Sequence, residues 1–209
     1  MRPSNPIFAI LPIHLTLLFL VSAASADSIS TVLVPFTGGD VEVELTLSDA
    51  AGDGTLRGTL QVVMGAGDLR GLFLDIAVES LLSGLSVVGD DVTGFATGDV
   101  INLGMGANLQ GGGTPCPCDI GIEFGTPGMG GDDIASTEFI LSHDIEALTL
   151  ALFFDQWVGL RLTSVGEIYD SSREGSAKLV GGFVPEPDTA SLLLLGLTGL
   201  GFVGRRRRS

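Results

Sequence analysis

Hydrophobic and polar residues alternate along Val41-Glu42-Val43-Glu44-Leu45-Thr46-Leu47 and again along Thr55-Leu56-Arg57-Gly58-Thr59-Leu60-Gln61-Val62. A period of two sets one row of side chains on a core and the other in water, so both segments are half-buried strands. Similar or more apolar runs at 30–36, 71–79, 85–88, 120–124, 137–141, 148–154 and 158–165 extend the series. Turn signals separate most of them: Gly52-Asp53-Gly54, Gly67-Asp68, Gly89-Asp90-Asp91 and Gly166-Glu167. Strands at this spacing predict an all-β fold, an antiparallel β-sandwich of jelly-roll or cohesin-like type. The stretch 147–154 also fits a helical face, but its aromatics favour a strand. Leu-Arg-Gly recurs at 56–58 and 69–71, which suggests successive strands of one meander rather than a solenoid. Residues 104–131, with ten glycines and both cysteines, read mostly as a long exposed loop around the strand at 120–124.

Composition narrows the function classes. The 209 residues include 25 acidic and 10 basic side chains, a formal charge of −15. Nucleic acid is therefore excluded as an expected partner. An apolar share of 45% is too high for a disordered chain, and 31 glycines argue against a helical bundle. The charge is not spread evenly: residues 27–184 hold 23 acidic side chains against Arg57, Arg70, Arg161, Arg173 and Lys178, for a formal −18.

The two ends have a different character. Residues 1–26 carry Arg2, an apolar run from Ile7 to Val21 and a small-residue exit, Ser22-Ala23-Ala24-Ser25-Ala26. This is the pattern of a secretory signal peptide forming a signal helix, with Ala24 and Ala26 meeting the small-residue requirement of signal peptidase and the cut expected before Asp27. At the other end Val184-Pro185-Glu186-Pro187 precedes an apolar stretch at 190–203, and Arg205, Arg206, Arg207 and Arg208 follow. Fourteen residues span about 21 Å as a helix, a short transmembrane helix whose arginines stay in the cytoplasm as a membrane stop. The chain thus divides into a signal peptide at 1–26, an exported domain at 27–183 and a terminal segment at 184–209.

That terminal segment resembles the PEP-CTERM sorting signal of exported bacterial proteins: the Pro185-Glu186-Pro187 tripeptide, one hydrophobic segment and a closing arginine cluster. The resemblance implies recognition by exosortase, a membrane cysteine protease that removes the tail. It also implies a producer of extracellular polysaccharide, with the protein transiently membrane-anchored and then placed at the cell surface or outside the cell, in a biofilm matrix. It covers only the terminal segment and leaves the domain's role open.

Candidate chemistry within the domain is sparse. Cys116 and Cys118 flank Pro117; export leads to an oxidising compartment, which favours a small intraloop disulfide over intermolecular bridging or a redox role. Zinc held by this pair with His143 is a weaker alternative. His143, the sole histidine after signal removal, lies in Ser142-His143-Asp144 and is expected to be a solvated turn residue, since no nucleophile elbow accompanies it. Clustered acids suit calcium better than catalysis, and the turn with Asp49 and Asp53 is the candidate site, although it lacks the alternating ligands of an EF-hand loop. One Trp and one Tyr leave little for stacking on sugars. The expectation is a non-enzymatic surface or extracellular-matrix protein with no required cofactor, handled by signal peptidase and an exosortase-type protease, with extracellular polysaccharide as a candidate partner. The alternatives are a calcium-assisted glycan- or protein-binding module and a secreted hydrolase using His143 or a carboxylate pair.

Overall fold

The computed structural model describes residues 27–104, 106–111, 117–126, 133–166, 173 and 175–184. Their strands are β1 (Ser28–Gly38), β2 (Glu42–Ser48), β3 (Leu56–Met64), β4 (Ala66–Leu74), β5 (Leu85–Val88) and β6 (Val92–Val100). These are followed by β7 (Asn102–Gly104), β8 (Ala107–Asn108), β9 (Cys118–Phe124), β10 (Ser136–His143), β11 (Trp157–Gly166) and β12 (Gly175–Gly182). Ten of them form one antiparallel ladder in the order β5-β10-β3-β2-β1-β12-β11-β4-β9-β6, and β7 pairs with β8 alone.

The ladder folds at β1. Its first half, Ser28 to Leu33, pairs with β2, and its second half, Val34 to Gly38, pairs with β12. The register slips between Pro35 and Thr37. Proline has no N–H to give a ladder, so it is tolerated at such an irregularity, where the strand can bend from one half of the ladder to the other. A second crossing is made in one residue at Gly65, whose φ of +74 joins β3 to β4. A Cβ there would stand 2.6 Å from the Asp40 carbonyl, so only glycine fits. The outer edges, β5 and β6, are joined by the short turn Gly89-Asp90-Asp91, in which the Val92 N–H donates to the Gly89 carbonyl. The all-β antiparallel class expected from the sequence is the class observed. Its hydrogen bonds describe one folded, nearly barrel-like ladder whose two halves share β1.

One core fills the interior. Val43, Leu45, Leu47, Leu60 and Phe139 from the β2-β3-β10 half meet Leu72, Leu74, Ile122, Leu160 and Leu179 from the β12-β11-β4-β9 half. The rings of Phe124 and Phe139 join the halves at 6.1 Å between centroids. Each fully buried Leu or Phe contributes roughly 1.5–3 kcal/mol. The two halves differ in their outer faces. β2 alternates buried with half-buried residues, as its sequence predicts, whereas β4 is buried on both faces from Gly67 to Leu74.

A smaller core of Phe73, Val100, Leu109 and Cys118 explains that second burial. Phe73 is flanked in register by Gly159 on β11 and Gly121 on β9. An added Cβ at Gly159 would meet Leu109, and one at Gly121 would meet Val100 and Leu103. The glycines thus let residues 100–109 settle onto the ladder. Two cations hold the cover in place: Arg161 Nε donates to the Gly106 carbonyl at 3.2 Å, and Lys178 Nζ donates to the Gln110 carbonyl. Arg161 and Lys178 are register partners. Loss of hydration pulls the affinity of both for their protons down, and the Arg161 charge adds to the effect on Lys178.

Several local expectations are corrected. Residues 148–154 are not a strand: Leu150–Phe153 forms a 3-10 turn that buries Leu150 and Phe153, three apart and therefore on one side. Gly67-Asp68 is no turn but lies inside β4, which begins at Ala66 and ends at Leu74; the predicted strand at 71–79 instead runs on into a 3-10 turn at Glu79–Gly84. The two Leu-Arg-Gly segments fall on β3 and β4, which are not ladder neighbours. The expected exposed loop at 104–131 contributes buried Ala107, Leu109 and Cys118. β6, β7, β8 and β12 had no counterpart in the predicted strands.

Candidate functional site

Both described chain ends leave the ladder at one pole. β1 starts there after Asp27, and β12, antiparallel to it, finishes there with Phe183 and Val184 behind it. Phe183 is buried, bridges to Phe154 and accepts the Asp155 N–H at 2.9 Å, so the chain is held firmly up to that residue. Val184 then projects with 76% exposure, and Trp157, opposite Gly182 in the register, is 52% exposed. The domain therefore hands over to its tail beside the protein's only tryptophan.

Residues 183–208 match the family model described as the PEP-CTERM protein-sorting motif. The tail is a PEP-CTERM sorting motif. Such a motif implies processing by exosortase and membrane-anchored sorting of an exported protein toward the cell surface. Searches of curated proteins and of solved structures find no match to the chain. Of the motif, only Phe183 and Val184 belong to the described residues; Pro185, Glu186, Pro187 and Arg205 to Arg208 lie outside them. Ala24, Ala26 and Cys116 lie outside them as well, as do the signal helix and the apolar stretch at 190–203. Among the described residues no helix is long and apolar enough to cross a membrane.

Within the domain the structure separates most of the sequence-predicted candidates. Cys118 is fully buried and disulfide-bonded. His143 is not the solvated residue expected. Its side chain is only 7% exposed, packed against Gly84, and its Nδ1 accepts the N–H groups of Ile145 at 3.1 Å and Glu146 at 2.9 Å. The ring acts as a plug that shapes the turn after β10. Among the described residues its polar neighbours are these amides and the Asp144 carboxylate at 3.4 Å, with no hydroxyl or thiol hydrogen-bonded to it.

Asp49 and Asp53 share the turn between β2 and β3. The Asp53 carboxylate accepts both the N–H and the hydroxyl of Thr55, at 3.0 and 2.7 Å, which holds its pKa below the ordinary value. Asp49 contributes its backbone carbonyl to the Gly52 N–H. Among the described residues no three His, Cys, Asp or Glu side chains converge as a metal cage.

One concave surface has no counterpart among the sequence-predicted sites. Beside β5 and β10 lies a groove of about 660 Å3 whose walls include Val88, Ile140, Thr137 and Glu138, with Asp90 and Asp91 at its rim. Arg57 spans from this groove to a smaller hollow of about 180 Å3 by the Asp53 turn, and it binds Glu138 at 2.9 Å. Thr137 Oγ1 is buried without a hydrogen-bond partner among the described residues. The only signal for the groove in the sequence is the brevity of β5, four residues against eight in β10.

A carboxylate pair sits near the exit pole. Asp119 Oδ2 accepts the Ile76 N–H at 3.1 Å, and half-buried Asp75 lies near it. Burial, then the Asp119 charge, raises the Asp75 pKa above 3.8. A raised carboxyl pKa means the folded state binds the proton more tightly than the unfolded chain, so at neutral pH the ionised group weakens the fold. Asp75→Asn will raise the melting temperature at pH 7, by the equivalent of under about 1 kcal/mol because water still screens the pair. The difference from the parent will shrink as pH falls through the raised pKa toward 3.8, a trend that melting curves from pH 7 to 3 will follow.

Proposed function

We propose that this chain is a non-enzymatic exported protein whose β-domain is delivered to the cell surface or extracellular matrix by its terminal sorting motif. The match of residues 183–208 carries the reading. The folded ladder supports a compact, sandwich-type module able to stand on its own outside the cell. The signal-peptide pattern at 1–26 supports entry into the secretory route. From Val184 to the apolar stretch at 190 the chain reaches at most about 20 Å, so the domain's exit pole rides close to the membrane until the tail is removed.

All five basic side chains of residues 27–184 are engaged within the protein. Arg57 meets Glu138, Arg70 meets Glu123 and Arg173 meets Asp133, while Arg161 and Lys178 bind carbonyls. The surface is thus left with an excess of carboxylates, which suits a soluble matrix component and repels polyanions. A binding role for the domain is supported by the groove beside β10. Calcium assistance at Asp49 and Asp53 belongs to that second reading, and calorimetric titration of the metal tests it.

The sorting claim is tested by replacing Pro185, Glu186 and Pro187 together with alanine and weighing the protein recovered from the native host. The parent will be released with both the signal peptide and the tail missing. The variant will keep the tail mass and stay with the membrane fraction. An unchanged mass and location would remove the proposal's main support.

A further inference from the structure

The groove beside β10 coincides with an unfinished edge of the ladder. Val62 N–H donates to the Ala135 carbonyl at 2.9 Å, which fixes the alternation: Thr137, Phe139 and Leu141 turn their backbone groups to β3, while Ser136, Glu138, Ile140 and Ser142 turn theirs away from it. β5 meets only the stretch from Ile140 to His143. Gly89 then closes over the Glu138 carbonyl, where a Cβ would stand 2.5 Å away. Among the described residues, the N–H and C=O of Ser136 and the N–H of Glu138 face no strand, and the groove lies along them.

We propose that this edge accepts an extended peptide strand from a basic protein partner, pairing with Ser136 and Glu138 in continuation of β5. Main-chain hydrogen bonds would supply affinity and the groove specificity, as in other cases of strand addition to an open edge. The apolar side chain of Val88, 61% exposed, and Ile140 form a place for one apolar side chain of the guest. Asp90 and Asp91 select the charge of its neighbours, favouring Lys or Arg at alternate positions, while Glu138 is already paired with Arg57. A second copy of this chain is a poor occupant: two such edges would set these acids against each other, and the domain's five cations are already engaged. Acids at an edge also discourage pairing with strands in general, and the charge of the guest is what separates selective pairing from plain edge protection.

The test is fluorescence anisotropy with the purified exported protein and three labelled ten-residue peptides. One alternates Lys and Val, one alternates Glu and Val, and one repeats the Lys-Val sequence with N-methylated backbone amides. The Lys-Val peptide should bind saturably, one per chain. The N-methylated peptide and the protein variant Ser136→Pro should each weaken binding about tenfold or more, since each removes backbone donors and leaves the charges alone. Asp90→Asn with Asp91→Asn should weaken it several-fold and flatten its salt dependence. Equal binding of the Glu-Val peptide, binding that never saturates, or indifference to N-methylation would overturn the proposal in favour of non-specific adsorption. N-methylation keeps the test valid even if Ser136→Pro fails to fold. Because delivery is read by mass in the host, loss of this binding and loss of the sorting reading are separate results.

Discussion

Glu123→Ala will lower the unfolding free energy by about 3–5 kcal/mol, the cost of stranding a buried charge. Glu123 lies on β9, set in register between Gly71 of β4 and Gly94 of β6, and its carboxylate is 3.7 Å from Arg70 Nη2. The Arg70 side chain is 3% exposed, and neither of its Nη atoms finds a hydrogen-bond partner among the described residues. At this separation the pair holds by charge rather than by a hydrogen bond, so removing the carboxylate leaves a desolvated cation with nothing in return. Arg70→Met alone will cost less, because Glu123 keeps 15% exposure and can turn to water. The double variant Arg70→Met with Glu123→Ala will recover much of the loss. Urea unfolding of the four proteins checks the cycle; equal costs for the two single variants, or additive loss in the double one, would contradict it.

The same arginine marks where sequence patterns stop being informative. Arg57 and Arg70 occupy identical Leu-Arg-Gly contexts, yet Arg57 is exposed and Arg70 buried. Alternation predicts the first correctly because the outer face of β3 meets water. It fails for β4, whose outer face is covered by Val100 and Leu109, which flank Gly104 and Gly106 in the sequence. Those glycines suggest an open loop, whereas part of the contact is made by glycines on the ladder, where Leu109 rests on Gly159. β6 and β12 escaped notice for a related reason. Val-Thr-Gly-Phe-Ala-Thr-Gly-Asp-Val and Gly-Ser-Ala-Lys-Leu-Val-Gly-Gly are too rich in glycine to look like strands, and their partners β9 and β11 supply the pairing that propensity does not. Strongly alternating β2 and β3 and the four-residue β5 were legible at once. The groove was not, because it arises from the unequal lengths of two strands brought together by a crossover, a relation no local pattern records. The sorting motif was the reverse case: its chemistry is wholly local, and the sequence alone carries it.

Asp68 offers the sharpest contrast between a local signal and its tertiary use. Gly67-Asp68 has the composition of a turn, but Asp68 is 8% exposed within β4. Its Oδ1 accepts the Ile134 N–H at 3.1 Å and its Oδ2 accepts the Thr163 hydroxyl at 3.2 Å. The Leu69 N–H donates to the Ile134 carbonyl at 2.9 Å, so both backbone groups of Ile134 are taken up by neighbouring residues of one strand. This clasp brings the chain entering β10 against β4 and ties it to β11, where the two halves of the ladder meet. Asp68→Ala leaves the buried Ile134 amide without that acceptor and will destabilise the domain by about 2–4 kcal/mol, since hydrogen bonds to charged groups contribute about 1.5–3 each. Asp68→Asn keeps an oxygen for Ile134 and can donate to Thr163 Oγ1, so it will cost markedly less. Thr163→Val will remove one bond and leave the other, falling between the parent and Asp68→Ala. Hydrogen exchange provides the local readout. The Ile134 and Leu69 amides will lose protection together in Asp68→Ala, ahead of the amides in β2 and β3, whereas uniform loss across all strands would mean that the clasp has no local role.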